Sequence, residues 1–393
     1  MRPKLKEGVQ PLRRAPRGVQ LGLDPERAVV FDGLEPAEYA LLSSLDGSRS
    51  TEELRRAAQA VGIPPSRVDR LLGLLRDADL LDDASLPLGL LGRLELSARD
   101  RLAPDLRAWS LLGGSDGGAA ILERRAHARV LVLGAARLGV AVARLLAASA
   151  VGLVDVEDEG PVRSADMWPG GFEAEHRGAD RADTARRLVA ADSPLPTALR
   201  PAALVHPRWD AVVLVPEAVP ETRRVQMLVR GRVPHLLVTL RETTGLVGPL
   251  VLPGQSTCLH CVDLHRVARD RDWPALSVQL SQGQSGVNCA ETTLVGATAS
   301  LAAMQLLLLL DRRSAQADAA DPELDLPAVD GTLEVRLPHG TVRRRAWSPH
   351  PSCPCGADEA RHGDPDDRPP GTPRQAGEVR EPAGVVDGPT RAG

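Results

Sequence analysis

The sequence predicts an α/β protein: a doubly wound, largely parallel sheet bearing zinc knuckles, preceded by a small winged-helix-like α+β domain. Three observations predict it. From Arg129 onward, apolar stretches of strand length alternate with segments of helix length, the pattern of a sheet whose strands are joined by crossover helices. Two close cysteine pairs, Cys258-Leu259-His260-Cys261 and Cys353-Pro354-Cys355, bracket the end of that pattern at spacings that suit a metal. Ahead of it, Val9 to Asp83 read as short strands followed by three helices.

At 393 residues the chain predicts two or three domains. Apolar residues make up 43% and aromatics only 2%, so the core is expected to be built from Leu, Val and Ala. A net charge of −4 argues against nonspecific nucleic-acid binding by the whole chain. Met1 to Arg17 is basic but lacks the apolar stretch of a signal peptide. Paired cysteines in such a chain predict metal binding in a cytoplasmic protein, not a disulfide framework. The apolar run Leu294 to Leu310, interrupted by Gly296, Thr298, Ser300 and Gln305, predicts a buried helix in place of a membrane span. The expected divisions are 1–88, a connecting helical segment at 89–125, the α/β domain at 126–356, and a disordered tail at 357–393 rich in Pro, Gly, Asp and Arg.

In the first domain, Val19 to Leu23 and Arg27 to Phe31 suit strands. A helix is expected from Pro36 to Leu45, stopped by Asp46-Gly47. Ser50 precedes Glu53 by three, a capping-box start for the next helix. Pro64-Pro65-Ser66 opens a third, in which Val68, Leu71, Leu72 and Leu75 recur at roughly helical spacing. In the α/β domain the expected strands are Arg129 to Gly134, Val151 to Asp155, Ala211 to Val215 and His235 to Thr239, with an Ala-rich helix from Val140 to Ser149. The alternation makes the sheet Rossmann-like.

Four thiolates, from Cys258, Cys261, Cys353 and Cys355, complete a tetrahedral zinc shell with no open position, so the metal is expected to be structural; His350 is an alternative ligand. Gly134-Ala135-Ala136-Arg137-Leu138-Gly139 lies where a strand meets a helix, the place of a phosphate-cradling loop. Asp155 and Glu157 close the next strand, where an acidic group would hold a ribose. A plain packing turn explains the loop equally well, since Ala136 replaces its middle glycine and Arg137 adds bulk.

Taken together, the order of strand, Gly-loop, acidic strand end, third strand, CxxC, Cys289-Ala290-Glu291, long helix and second cysteine pair resembles the ThiF/MoeB family, over about Arg107 to Cys355. That family belongs to the ubiquitin-activating superfamily, which adenylates a carboxyl terminus with ATP and magnesium. The resemblance implies nucleotide contacts at Gly134, Ala136, Gly139, Asp155 and Glu157, a thioester or persulfide site or a plain buried thiol at Cys289, and a homodimer. Departures from the family pattern are numerous. Its catalytic arginine falls on Ser110, and its Asn-Leu-x-Arg-Gln stretch is replaced by Ser164-Ala165-Asp166-Met167-Trp168. Its lysine aligns near Arg181, the only lysines of the chain being Lys4 and Lys6, and its magnesium aspartate becomes Val215-Pro216-Glu217. Arg181 and Glu217 are the available stand-ins for charge that adenylation requires.

The N-terminal pattern resembles the PqqD-like recognition element of ribosomal peptide-modifying systems. Such a module adds a precursor leader as an extra strand; here Val29, Val30, Phe31, Val68, Leu71 and Leu75 are expected to line the groove, or simply to form the core. Together the two domains resemble leader-binding scaffold proteins of azole- and azoline-forming systems, which present a precursor to a YcaO-type cyclodehydratase. Two alternatives stand beside that reading. One is a working ATP-dependent adenylyltransferase acting on the carboxyl terminus of a peptide or small protein. The other is a DNA-binding regulator, for which Arg67, Arg70 and Arg76 on the third helix are offset by Asp69, Asp77 and Asp79.

Overall fold

A computed structural model describes residues 1–14, 18–25, 27–201, 208–217, 219–281, 290–312 and 326–357. The chain forms two units, Met1–Glu123 and a second that begins at Arg124. Cys289 and residues 358–393, nearly all of the expected tail, lie outside the described residues.

The first unit runs β1 (Pro3–Leu5), β2 (Pro11–Arg14), β3 (Gly18–Leu21), β4 (Val29–Phe31), α1 (Pro36–Ser43), α2 (Thr51–Ala60), α3 (Pro65–Asp77) and β5 (Leu81–Asp83). The connecting segment then supplies α4 (Gly89–Arg93), α5 (Leu96–Ser110) and α6 (Ala119–His127). β2, β3 and β4 form an antiparallel meander, and β1 pairs with β5. The capping box forms as its sequence requires: Ser50 Oγ accepts from the Glu53 amide at 3.3 Å, and the Ser50 amide donates to Glu53 Oε2 at 2.7 Å. Apolar residues of the meander and of all three helices share one core, with Val19, Leu21, Leu42, Leu54, Val68, Leu71 and Leu75 nearly sealed from solvent.

In the second unit, β6 (Arg129–Leu133), α7 (Arg137–Ala148), β7 (Leu153–Glu157), α8 (Arg181–Asp192), β8 (Ala211–Leu214), α9 (Thr222–Arg230) and β9 (His235–Arg241) alternate as expected. β10 (Thr244–Val251), α10 (Leu259–Arg269), α11 (Trp273–Ser281), α12 (Thr292–Arg312), β11 (Gly331–Arg336) and β12 (Thr341–Ala346) follow. One seven-stranded sheet results, in the order β12-β11-β10-β9-β8-β6-β7. Strands β7, β6, β8 and β9 pair in parallel. From β9 outward the pairing is antiparallel through β10, β11 and β12, an extension absent from the sequence expectations.

Both faces of the parallel half are covered, which is why its strands read as unbroken apolar runs. Val130 and Val132 of β6 point into the core shared with α7 and α12, while Leu131 faces a second cluster containing Leu259 and the cysteines. α12 is long and apolar enough to cross a membrane, yet it packs on α7 and β10 inside the larger core. Its Gln305 side chain accepts from the Ala328 amide at 3.1 Å, which explains a polar residue in that run. Arg125 holds Asp311 by two hydrogen bonds of 2.8 and 2.7 Å and anchors the end of α12.

Candidate functional site

The Gly-loop crosses the carboxyl ends of the parallel strands, the crevice in which such sheets bind ligands. Packing alone accounts for its glycines. Gly134 has φ +105°, and a Cβ there would lie 2.1 Å from the Val215 carbonyl oxygen; a Cβ on Gly139 would lie 1.8 Å from that of Gly134. Arg137 does not block the loop. Its guanidinium turns away to the carbonyls of Met167 and Ala290, at 2.8 and 2.7 Å.

Beside the loop lies a cleft of about 870 Å³ lined by Gly134, Ala136, Glu157, Arg181 and Glu217. It thus brings five of the expected site residues together. Gly139 is buried in α7, and Asp155 contributes indirectly by binding Arg186 of the cleft wall at 2.8 Å. Glu157, the expected ribose acid, is paired with Arg224 at 2.7 Å.

The decisive residue is one that sequence reasoning missed. Asp158 accepts a hydrogen bond from the Ala135 amide of the Gly-loop and binds Arg181 Nη2 at 2.6 Å, with both side chains only 8% exposed. Arg181 also reaches the Glu159 carbonyl at 3.1 Å, Asp166 at 3.4 Å and Glu217 at 3.5 Å. Arg163 closes the ring, holding Glu217 at 2.7 Å and Asp166 at 3.3 Å; those two carboxylates push the Arg163 guanidinium above its ordinary range. A carboxylate of the chain therefore sits where the loop amide would meet phosphate, and the cation offered for phosphate is neutralised. Seven carboxylates line the cleft against four guanidinium groups. The legible signal was the dense acidic run Asp155-Val156-Glu157-Asp158-Glu159.

Other expected positions find local roles. Ser110 donates to the buried Asp82 carboxylate at 2.9 Å. Glu291 accepts from the Leu294 amide at 2.8 Å and so caps α12. In the first unit, Val29, Phe31, Val68, Leu71 and Leu75 are core residues, and Val30 is buried as well. What β4 offers is its backbone edge: among the described strands only β3 pairs with it.

The four cysteines converge, with all four Sγ atoms within 4.8 Å of one another. Cys258–Cys261 is 3.7 Å, Cys258–Cys353 3.6 Å and Cys261–Cys355 3.6 Å. A tetrahedral zinc–thiolate shell with bonds of about 2.3 Å has edges of about 3.8 Å, so the donor set fits such an ion. Cys258 caps α10 and accepts from the Cys261 amide at 3.4 Å. The hydrogen bond from Cys258 draws the Cys261 thiol down to about 4, while burial pushes Cys353 up to about 12. His350 stands outside the set, its ring edge-on to His265 at 4.9 Å.

No protein-family model and no curated protein sequence matches the chain. Solved structures do. E. coli MccB with MccA-N7isoASN aligns over 91% of this chain and 100% of its own, with TM-score 0.63 and 12% identity. The chain has the fold of MccB. MccB with ATP aligns over 90% of this chain and 99% of its own at TM-score 0.63 and 13% identity. PaaA aligns over 88% of this chain and 100% of its own at TM-score 0.62 and 16% identity. The MccB likeness supports the ThiF-like fold expected from the sequence and, at 91% coverage, must extend into the first unit.

Proposed function

We propose that this chain is a ThiF-like, peptide-binding protein that presents a ribosomal precursor leader to a YcaO-type modifying enzyme, its own adenylation site being closed. The contact of Asp158 with both the Ala135 amide and Arg181 carries this reading. A nucleotide phosphate seated on the loop would displace Asp158 and strand a buried carboxylate. Breaking a buried pair costs on the order of 3–5 kcal/mol, equivalent to about two to four decades of affinity. Peptide recognition is supported by the fold shared with MccB, a microcin C7 biosynthetic enzyme crystallised with N-formylated MccA. It is also supported by the open edge of β4 in a unit we read as the winged-helix-like, PqqD-like module. The leader adds to β4 through backbone hydrogen bonds, while Val29, Val30, Phe31, Val68, Leu71 and Leu75 support that edge from the core. Zinc on the four cysteines is structural, and the protein acts as a homodimer.

The test is made on full-length, zinc-loaded protein. Fluorescence anisotropy with the leader of a neighbouring precursor gene is expected to show micromolar or tighter binding, without peptide-dependent ATP–pyrophosphate exchange. Absence of leader binding refutes the reading.

A working adenylyltransferase is the second reading. The size of the cleft, about 870 Å³, the buried and unpartnered Nε of Arg181, and the ATP complex of MccB favour it. It requires pyrophosphate exchange that is lost in Arg181→Ala. DNA reading by α3 is not favoured, because Arg67 is engaged by Glu38 at 2.5 Å and Asp69 of the same helix binds Arg55.

A further inference from the structure

A second cavity, of about 590 Å³, lies between β9, β10, α10 and α11. Leu237, Thr239 and Arg241 reach it from alternate positions of β9, as the period of a strand dictates. α10 presents Leu259, Val262, Asp263 and Arg266 to it, one stripe of a helix. The two arginines thus come from different elements and meet at one aromatic ring. Arg266 lies 4.8 Å and Arg241 6.0 Å from the centre of the Trp273 indole.

Three guanidinium groups, Arg223, Arg241 and Arg266, line the cavity against two carboxylates, Glu221 and Asp263. Arg266 binds Asp263 at 3.1 Å, whereas Glu242 and Asp263 act on Arg241 by charge alone, with no salt bridge to it among the described residues. Burial holds both guanidiniums below their ordinary range; the Arg241 charge adds to it at Arg266 and the Arg345 charge adds to it at both, while Asp263 acts in the other direction on each. Arg345 itself is committed to Glu334 at 2.7 Å. Crowding like charges in a half-buried cavity costs stability, and an anion bound there relieves the cost.

We propose that Arg241 and Arg266, held against Trp273, form a recognition site for the carboxylate of a peptide. The guanidinium fork matches a carboxylate in plane and spacing. Trp273 already packs against guanidinium groups, which disfavours a stacked base and so a nucleotide. Leu237, Pro249, Leu259 and Val262 supply apolar surface for the residue that carries the acid. Val219, Pro220 and Glu221 line this cavity and the first cleft alike, so a peptide end held here lies next to the Gly-loop site. The site is separate from the leader-binding edge of β4, and its failure leaves that reading standing.

The experiment uses full-length, metal-loaded protein and three capped dipeptides. N-acetyl-Leu-Gln carries a terminal carboxylate, N-acetyl-Leu-Glu-amide a side-chain carboxylate, and N-acetyl-Leu-Gln-amide neither. The indole N–H resonance of Trp273, assigned by its loss in Trp273→Phe, is followed by NMR during each titration. At least one acid is expected to shift it while the neutral amide does not, and the acid that binds distinguishes terminal from side-chain recognition. Arg241→Gln is expected to weaken binding by about tenfold or more, the loss of a charge-assisted hydrogen bond, with unchanged circular dichroism and metal content. Arg266→Gln gives the same comparison in an independent background. An equal shift with the neutral amide, or inorganic phosphate binding as tightly as either acid, overturns the proposal.

Discussion

Arg181 and Asp158 meet at 2.6 Å beneath the Gly-loop, each only 8% exposed, with Asp158 also holding the Ala135 amide. The pair makes the loop's amide and its cation satisfy one internal carboxylate. Removing either partner therefore has separable effects on stability and on ligand access.

Arg181→Ala leaves Asp158 and Asp166 without their shared cation. Denaturant unfolding should show a loss of about 3–5 kcal/mol. Asp158→Asn keeps an acceptor for the Ala135 amide but weakens the hold on Arg181, so its stability loss should be smaller. Calorimetry with a non-hydrolysable ATP analogue and magnesium should show tighter binding for Asp158→Asn than for the parent. Equal affinity would show that Asp158 does not close the loop.

Mass spectrometry of purified protein should find one zinc per chain. Cys258→Ser and Cys355→Ser should each release it, because both belong to the closed set of sulfurs. The cluster ties the start of α10 to a segment about 95 residues later. Chelation should therefore lower stability by several kcal/mol, or about 5–10 °C in Tm.

Asp82 supplies a pH signature. Burial raises its carboxyl above the ordinary range, outweighing the Ser110 hydrogen bond, the Gly117 amide and the nearby lysines. Folding thus favours the protonated form, so its contribution is greatest below the unfolded pKa of 3.8 and is lost as pH rises through the elevated folded value. Asp82→Asn should melt higher than the parent at neutral pH. The difference should vanish as the pH falls toward about 4. A gap constant with pH would contradict this account.

Phe31 and Leu75 belong to the core of the first unit, at 6% and 0% exposure. Phe31→Ala should cost about 3–5 kcal/mol and Leu75→Ala about 2–5 kcal/mol of stability. Thermal melts should register both losses even without any peptide. A selective loss of leader affinity with unchanged melting would instead place these side chains in an open groove.

Much of the fold was legible because its causes are local. The Ser50–Glu53 capping box, the unbroken apolar run of β6 and the apolar run of α12 are each written within a few turns or residues. The antiparallel extension was less legible: β10 carries Gly245 and a Gly248-Pro249 pair, and β12 is exposed throughout and carries three consecutive arginines. Neither presents the continuous apolar run of a strand buried on both faces.

By itself the sequence determined the alternation of strands and helices, the position of the Gly-loop and the pairing of cysteines at metal-binding spacing. Periodicity and close spacing act over short distances, where the backbone geometry of a helix or strand decides the outcome. Only the tertiary structure decided which charges meet. Asp158 and Arg181 are 23 residues apart, and Arg181 and Glu217 are 36. Their contact depends on how the loops after β7 and β8 fold over the Gly-loop, and no periodic signal records that. The same holds for Arg241 and Arg266, which share an indole because two elements of different kinds converge on it. Coulombic partners are selected by distance in space, and a chain states distance only along its own length.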